Sequence, residues 1–346
     1  MVLLDDVLAS NARIPTSLPP KLVAVFAGAT TGIGEATLKA FVKYAVEPRI
    51  YLMARSPTSA QRVIEECKTL NPKAEYTTIN VDLSFIRETD RACNEIIAKE
   101  SAVNLLMLSV GEISLDRSRT EEGLHKFLTT TFYTRIRLAQ NFLPLLKNAS
   151  NTSPLARVVN VGGGTKEGKI DTSDLTAIRM PFSHIRPHLT CVKTLALEKL
   201  AQQAPTVSFI HDFPGAVLTP LYDDVPGVMG FLIRTVVLLV KVLFGRWICV
   251  PIEECGERHV HMATSGKYEP KEGKAAGLPL LEGEMVSRGS DGEVGSGVYS
   301  IDWDGEGPKA EAAAALRKQR ENGVREVVWN HLDQEFKRIA ASVASS

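Results

Sequence analysis

The feature that most constrains this chain is a glycine-rich turn between a buried strand and a helix. The segment Val23-Ala24-Val25-Phe26-Ala27 runs into Gly28-Ala29-Thr30-Thr31-Gly32-Ile33-Gly34. A strand that is apolar without alternation belongs in a sheet covered on both faces. The turn after it aims backbone N–H groups at one spot, and the helix dipole adds positive potential there, so the junction suits a pyrophosphate. In such a turn Gly28 permits the tight reversal, Gly32 the close approach of the ligand, and Gly34 close packing of helix on strand. Thr31 and Ile33 complete the cradle.

The rest of the chain repeats this alternation. Strand-like runs occupy 22–27, 49–54, 75–81, 104–109, 156–161 and 206–212, and helical patterns fill 33–46, 58–70, 86–100, 120–146 and 185–203. Strands alternating with helices predict right-handed βαβ units. The expected fold class is therefore α/β, a doubly wound parallel sheet of Rossmann type in a single enlarged domain with a C-terminal helical extension. Residues 1–20 read as an arm, with a short helix near Leu3 to Ala9, breakers at Pro15, Pro19 and Pro20, and no apolar stripe. Residues 21–265 form the dinucleotide-binding domain, with a lid region at about 220–250. Residues 266–308 are a loop insertion ending in a last strand near Gly297 to Asp302, and 309–346 are the helical extension.

In that extension Val324, Val328, Leu332 and Phe336 recur every fourth residue, and Gly323 divides the helix in two. Such a stripe either docks on the parent domain or makes a homo-oligomer surface. The apolar run Val228 to Val250 is interrupted by Arg234, Lys241 and Arg246, well short of the roughly 20 uninterrupted residues of a membrane span. A lid is the preferred reading, and peripheral membrane contact the alternative.

Composition narrows the partners. The 40 acidic residues balance the 40 basic ones, so no net field favours nucleic acid. The five cysteines are odd in number and lack a Cys-x-x-Cys pair, which argues against a disulfide framework or a metal site and fits a reducing, cytoplasmic compartment. Asp5 and Asp6 stand where a signal peptide would carry basic residues.

The second strand ends Met53-Ala54-Arg55-Ser56. An acid there would accept the ribose 2′-hydroxyl of NAD, whereas Arg55 and Ser56 suit a 2′-phosphate, so the expected cofactor is NADP(H). Asp82 and Leu83 close the third strand. Asp82 is placed either to meet the adenine amino group or to cap the next helix.

These residues in this order resemble the short-chain dehydrogenase/reductase superfamily, from about Leu22 to Thr219. The family's Thr-Gly-x-x-x-Gly-Ile-Gly appears as Ala27 to Gly34, and its adenine-contacting Asp-Leu as Asp82-Leu83. Its Pro-Gly-x-Val-x-Thr appears as Pro214, Gly215, Val217 and Thr219. The resemblance implies that Val217 and Thr219 hold the nicotinamide carboxamide. The phrase Phe-Ile-His-Asp-Phe-Pro-Gly and the Val-Trp-Asn-His tail look like a fungal branch found among secondary-metabolite proteins.

The catalytic half of the resemblance is missing. Of the Asn-Asn-Ala-Gly motif expected at 108–111 only Gly111 survives. The relay asparagine's place falls on Thr131 and the serine's on Gly163. No tyrosine occurs from Thr134 to Leu221. Counting from Lys193 puts Leu189 in the tyrosine's place. Counting back from Leu200-Ala201 puts Arg186 there and Thr190 in place of the lysine. Helix-to-strand spacing favours the second register, which leaves Lys193 an ordinary helix residue. The candidates for a replacement catalytic group are Tyr133, His184, His188, Lys193 and Tyr222, with both histidines expected to be exposed. Tyrosine and serine in this family supply the proton and steady the carbonyl. General acid catalysis of that kind is worth about 10²–10⁴-fold.

Three functions follow. The first is an NADP-dependent oxidoreductase acting on a small apolar metabolite with a non-standard proton donor. The second is a non-redox isomerase, dehydratase or cyclase on the same scaffold. The third is a cofactor-binding pseudoenzyme.

Overall fold

Seven strands, β1 (Val23–Ala27), β2 (Arg49–Ala54), β3 (Glu75–Asn80), β4 (Leu105–Leu108), β5 (Arg157–Val161), β6 (Ser208–Phe213) and β7 (Val298–Asp302), make one sheet in the order β3-β2-β1-β4-β5-β6-β7. All six pairings are parallel, as in Val25↔Tyr51 and Leu106↔Val158. The computed structural model describes residues 1–111, 116–219, 235 and 249–344. Strands β1, β4 and β5 are buried along their whole length, which explains the unbroken apolar runs of β1 and β4; β5 also buries the polar Arg157 and Asn160. Strand order reverses between β1 and β4, and in open α/β sheets ligands bind beyond the carboxyl ends of the strands at such a point.

Helices α2 (Gly32–Tyr44), α3 (Pro57–Leu70), α4 (Ile86–Ile97), α5 (Thr134–Thr152), α6 (Phe182–Gln203) and α7 (Ile252–Thr264) cover the two faces. The core is accordingly two clusters. One holds Val25, Leu106 and Val158 with α4, α5 and α6; the other holds Phe26, Met107 and Val159 with α2, α3 and α7. The helix expected over 120–146 begins later, with a short turn Lys126–Leu128 and a π-helical turn Thr129–Tyr133 leading into α5.

The arm expected to lack an apolar stripe is docked. Helix α1 (Leu4–Asn11) packs on α7, and Val7, Ile14 and Leu18 are buried. Asn11 Nδ2 donates to Glu257 O at 2.9 Å and Oε2 at 2.8 Å. The apolar positions are spaced too widely, across Pro15, to read as one helical stripe. The 266–296 segment is held by the buried Arg157 of β5. Its guanidinium donates to the carbonyls of Met262, Ser265, Tyr268 and Ala276 at 2.7–2.9 Å. The extension forms α8 (Ala310–Glu321) and α9 (Val324–Ala344), separated by Gly323 at φ +70°. Helix α9 lies on α6 and α4 and buries Val324, Val328, Leu332, Phe336 and Ile339. Its stripe docks on its own domain.

No helix among the described residues is long and apolar enough to cross a membrane. The lid reading of 220–250 lies almost wholly outside the described residues.

Candidate functional site

The glycine turn sits at the carboxyl end of β1, between β2 and β4. Gly28 has φ +89° and Gly32 φ +60°, backbone conformations that glycine adopts without steric cost. A Cβ on Gly28 would lie 2.3 Å from Val110 N, and one on Gly34 would lie 2.5 Å from Gly28 O. Both glycines are therefore required by packing. Gly32 differs, because a Cβ there would meet only the Thr219 side chain at 3.3 Å. Gly32 and Thr219 thus face each other across the mouth of the cradle, one from the first βα turn and one from the segment after β6. Gly215, at φ +80°, turns that segment against Val250 and Trp303. Ser109 Oγ donates to the carbonyls of Ala27 and Gly28 and pins the turn to β4. Thr31 stands at the N-cap of α2 with no side-chain cap bond and is exposed, and Ile33 is partly buried.

At the end of β2, Arg55 is exposed and makes no hydrogen bond or ion pair among the described residues. Ser56 caps α3, accepting from Ser59 N at 3.2 Å. Arg62 of α3, which sequence reasoning passed over, reaches back to Thr30 O at 2.8 Å and to Glu35 Oε2 at 2.7 Å. The cradle is flanked by a free cation and a paired one. Asp82 accepts from Ser84 N and Oγ, so it caps the turn before α4 and not the helix itself. The first amides of α4 are taken by Glu122. Leu83 is buried. These residues fit a dinucleotide: backbone N–H groups at a helix start, no side chain at Gly32 and only that of Thr219 opposite it, and at the β2 end a guanidinium without a partner among the described residues.

The neighbouring quarter, at the ends of β4, β5 and β6, is built differently. Gly162-Gly163-Gly164 follows β5, and side chains fill the space above it. A Cβ on Gly163, the serine's expected place, would stand 2.3 Å from Thr190 Oγ1. A Cβ on Gly162 would stand 2.8 Å from Lys193 Nζ and 3.0 Å from His211 Nε2. Lys193 is therefore not an ordinary helix residue. It is 6% exposed, its ammonium reaches the end of β5, and Thr190 instead packs on Gly163. The preferred register is corrected on this point: Lys193, not Thr190, is the lysine of α6 that reaches the site. Lys193 has no hydrogen-bond or ion-pair partner among the described residues. Burial, reinforced by the nearby Arg135 charge and opposed by Asp212 and Glu167, brings its pKa down to about 7.

His211 links this floor to the interior. Its Nε2 accepts from Gly163 N at 3.2 Å, and its Nδ1 faces Thr194 Oγ1 at 2.9 Å. Thr194 donates onward to Glu167 Oε1 at 2.8 Å, which also accepts from Ser300 Oγ. That order requires the Nδ1–H tautomer of a neutral ring, and burial beside Lys193 and Arg135 holds the pKa of His211 well below the ordinary value. Asp212, the next residue, accepts from His259 Nε2 at 3.0 Å. Burial alone would discharge His259, but the Asp212 carboxylate outweighs it and raises its pKa.

Arg135 of α5 closes the other side. Its Nε donates to Val110 O at 2.7 Å, and its Nη1 to Leu108 O, Asn160 Oδ1 and Val161 O. A Cβ on Gly111 would lie 3.0 Å from Arg135 Nη2 and 3.2 Å from Thr131 Cγ2. Gly111 thus belongs to this quarter. Arg135 was legible in principle: it lies on the helical stripe Leu128, Phe132, Ala139, Phe142, where a charge is out of place.

The other candidates lie elsewhere. Tyr133 is buried with its hydroxyl 2.7 Å from His331 Nε2 of α9, and burial raises its pKa. It ties the π turn to the extension. His184 is exposed. His188, expected to be exposed, is fully buried; its Nδ1 accepts from Asp171 N and its Nε2 pairs with Leu175 O, so both nitrogens hold the 170–175 loop. Arg186 is exposed and lies over the Phe213 ring. Tyr222 lies outside the described residues.

Comparison with known proteins agrees with this fold. The sequence pattern of the family described as short chain dehydrogenase matches residues 22–169. Oxidoreductase andH of Emericella variicolor is 35% identical over 93% of this chain and 93% of its own length. Oxidoreductase AN1596 of Emericella nidulans is 35% identical over 96% of this chain and 97% of its own. Among solved structures, the alcohol dehydrogenase from the archaeon Thermococcus sibiricus complexed with 5-hydroxy-NADP superposes with a TM-score of 0.54 at 16% identity. That likeness covers 75% of this chain and 100% of the other, and it concerns the fold.

Proposed function

The chain belongs to the short-chain dehydrogenase/reductase superfamily, as an oxidoreductase of a fungal branch, and on that premise we propose that it uses NADP(H) to reduce a small, largely apolar metabolite with Lys193 as its proton donor. The single observation that supports this reading is the buried Lys193 ammonium over Gly162, which has no hydrogen-bond or ion-pair partner among the described residues.

The residues that would hold the cofactor follow from the cradle. Gly28, Thr31, Gly32, Ile33 and Gly34 would take the pyrophosphate, Arg55 and Ser56 the 2′-phosphate, and Asp82 and Leu83 the adenine. Pro214, Gly215, Val217 and Thr219 would border the nicotinamide. A reduced nicotinamide bound there supplies hydride to the substrate carbon. The chain's own part is the proton. Lys193 as ammonium gives one proton from Nζ to the substrate oxygen and is left neutral, and a pKa near 7 lets it do so and be recharged by solvent near neutral pH. Desolvation makes this possible, because a lysine at its ordinary pKa would be a poor acid. The neutral His211 beside it accepts only from Gly163 N and so adds no competing charge.

A second reading, a cofactor-binding protein without redox turnover, is favoured by one observation. Thr190 fills the space over Gly163, where the family's carbonyl-steadying hydroxyl would stand. Two measurements separate the readings. Dissociation constants for NADPH and NADH should differ by at least about tenfold, as a charge-assisted contact of about 1.5–3 kcal/mol implies. Loss of NADPH absorbance with a panel of ketones and enones then reports turnover. Equal affinities would remove the NADP assignment, and tight binding without turnover on any substrate would favour the second reading.

A further inference from the structure

We infer that Arg62 of α3 is a specificity-determining residue for NADP(H): without touching the cofactor, it cancels the Glu35 carboxylate that would otherwise repel a phosphate-rich ligand from the start of α2. The inference rests on the proposed use of NADP(H) and adds a residue to it.

The first turn of α2 holds a conflict. It is placed to attract an anion, yet it carries Glu35. A carboxylate at a helix start takes the positive end of the helix dipole for itself and repels phosphate. Glu35 is not an ordinary solvated acid either, because its side chain is only 15% exposed.

Two cations meet this acid. Arg62 meets it as a fork, with Nη1 on Oε1 at 3.0 Å and Nη2 on Oε2 at 2.7 Å. Lys39, one turn along α2, donates to Oε1 at 2.6 Å. Both cations also meet Glu66 of α3, Arg62 through Nη1 at 2.8 Å and Lys39 through an ion pair. The four side chains close a ring of alternating charge between α2 and α3, neutral in sum. Burial would raise the pKa of Glu35, but the hydrogen bonds from Arg62 and Lys39 outweigh it and hold the pKa below the ordinary value. Single exposed ion pairs contribute little, whereas a bidentate pair within a network is the exception.

Arg62 has one contact that Lys39 lacks. Its Nη2 also donates to Thr30 O at 2.8 Å, in the turn between Gly28 and Gly32. The helix that carries Arg62 is capped by Ser56, next to Arg55. Arg62 therefore stands between the turn proposed for the pyrophosphate and the residues proposed for the 2′-phosphate. All four of its Nη hydrogens are used, so it acts through Glu35 and leaves direct contact with the 2′-phosphate to Arg55. Without Arg62, two acids would share one lysine and the rim of the cradle would turn negative. NADPH brings one phosphate more than NADH and would be repelled more.

The test is calorimetric measurement of the dissociation constants of NADPH and NADH for the full-length protein and three variants. Wild type should prefer NADPH. Arg62→Ala should weaken NADPH by about tenfold and NADH by clearly less, so that the preference falls. Arg62→Ala combined with Glu35→Gln should recover most of the preference, because the uncovered carboxylate is gone; a merely structural loss at Arg62 would not be repaired by that second change. Glu35→Gln alone should bind NADPH at least as well as wild type. The ratio between wild type and Arg62→Ala should shrink in about 1 M salt, where charges are screened within about 3 Å. An Arg62→Ala protein with wild-type preference, a double variant no better than Arg62→Ala, or weaker NADPH binding in Glu35→Gln overturns the inference and leaves the NADP reading standing. A wild type without preference overturns that reading, and this inference with it.

Discussion

The carboxyl edge of this sheet has two regions made of different material. At the ends of β1 and β2 the surface is main chain: Gly28 and Gly32 in left-handed conformations, and the first turn of α2. At the ends of β4 to β6 it is side chains, namely Lys193, Arg135, Thr190 and His211 packed over bare glycines. In the first region Gly28 and Gly34 let main chain approach main chain, and Gly32 leaves only Thr219 opposite the start of α2. In the second, glycine makes room for the protein's own cations. The same residue type therefore carries opposite meanings, and only its neighbours decide which.

The largest effect separating the regions should come from Lys193→Met. Loss of the proposed acid should lower turnover by about 10²–10⁴-fold without weakening NADPH binding. The same change should stabilise the fold at low pH, since it removes the desolvation cost that lowers the pKa of Lys193 to about 7. The pH dependence has a definite sign. Lys193 has a folded pKa of about 7, below its unfolded value, so the unfolded chain binds more protons between the two. Wild-type stability should rise with pH across that window, and the gain from Lys193→Met should be greatest below it. A variant that melts lower than wild type at every pH would show that the lysine is partnered and break the comparison.

Gly32→Val should weaken NADPH binding by at least about a hundredfold, because the cradle tolerates no branched chain where φ is positive and the pyrophosphate must approach. The protein should stay folded, since only the Thr219 side chain stands opposite. Normal cofactor affinity would mean that the turn is not the binding surface.

Arg55→Ala should cost NADPH about 1.5–3 kcal/mol and NADH almost nothing, measured as paired dissociation constants. A parallel loss for both cofactors would place Arg55 against the pyrophosphate, shared by both, and so enlarge the first region.

Gly163→Ser should destabilise the fold by about 1–3 kcal/mol, because its Cβ enters the space of Thr190 Oγ1. Adding Thr190→Ala should recover most of that loss in melting temperature. Recovery would identify Thr190 as the occupant that excludes a serine. An unchanged melting temperature for Gly163→Ser alone would mean that α6 yields easily there.

The first region was legible because it is a matter of backbone geometry: glycine takes the φ of +89° at Gly28 without steric cost, and no residue with a Cβ fits a 2.3 Å approach to the neighbouring main chain. The second was half legible. Glycine in place of serine and the absence of tyrosine announced a changed site, but not what replaced them. Tyr133 and His188 looked as plausible as Lys193 in one dimension. The structure turns Tyr133 toward His331 and uses both nitrogens of His188 to hold a loop.

By itself, then, the amino-acid sequence determined the parallel sheet, the order of its βα units, the cradle at the end of β1 and the vacancy of the serine and tyrosine places. Those depend on local rules: apolar periodicity, glycine's conformational freedom and residue identity at a motif position. The tertiary structure alone decided that Lys193 reaches Gly162 and that Arg135 reaches Gly111 and Asn160, bringing two helices onto strand ends distant in sequence. A buried group's charge and partners are set by everything packed around it, and no local pattern encodes that environment.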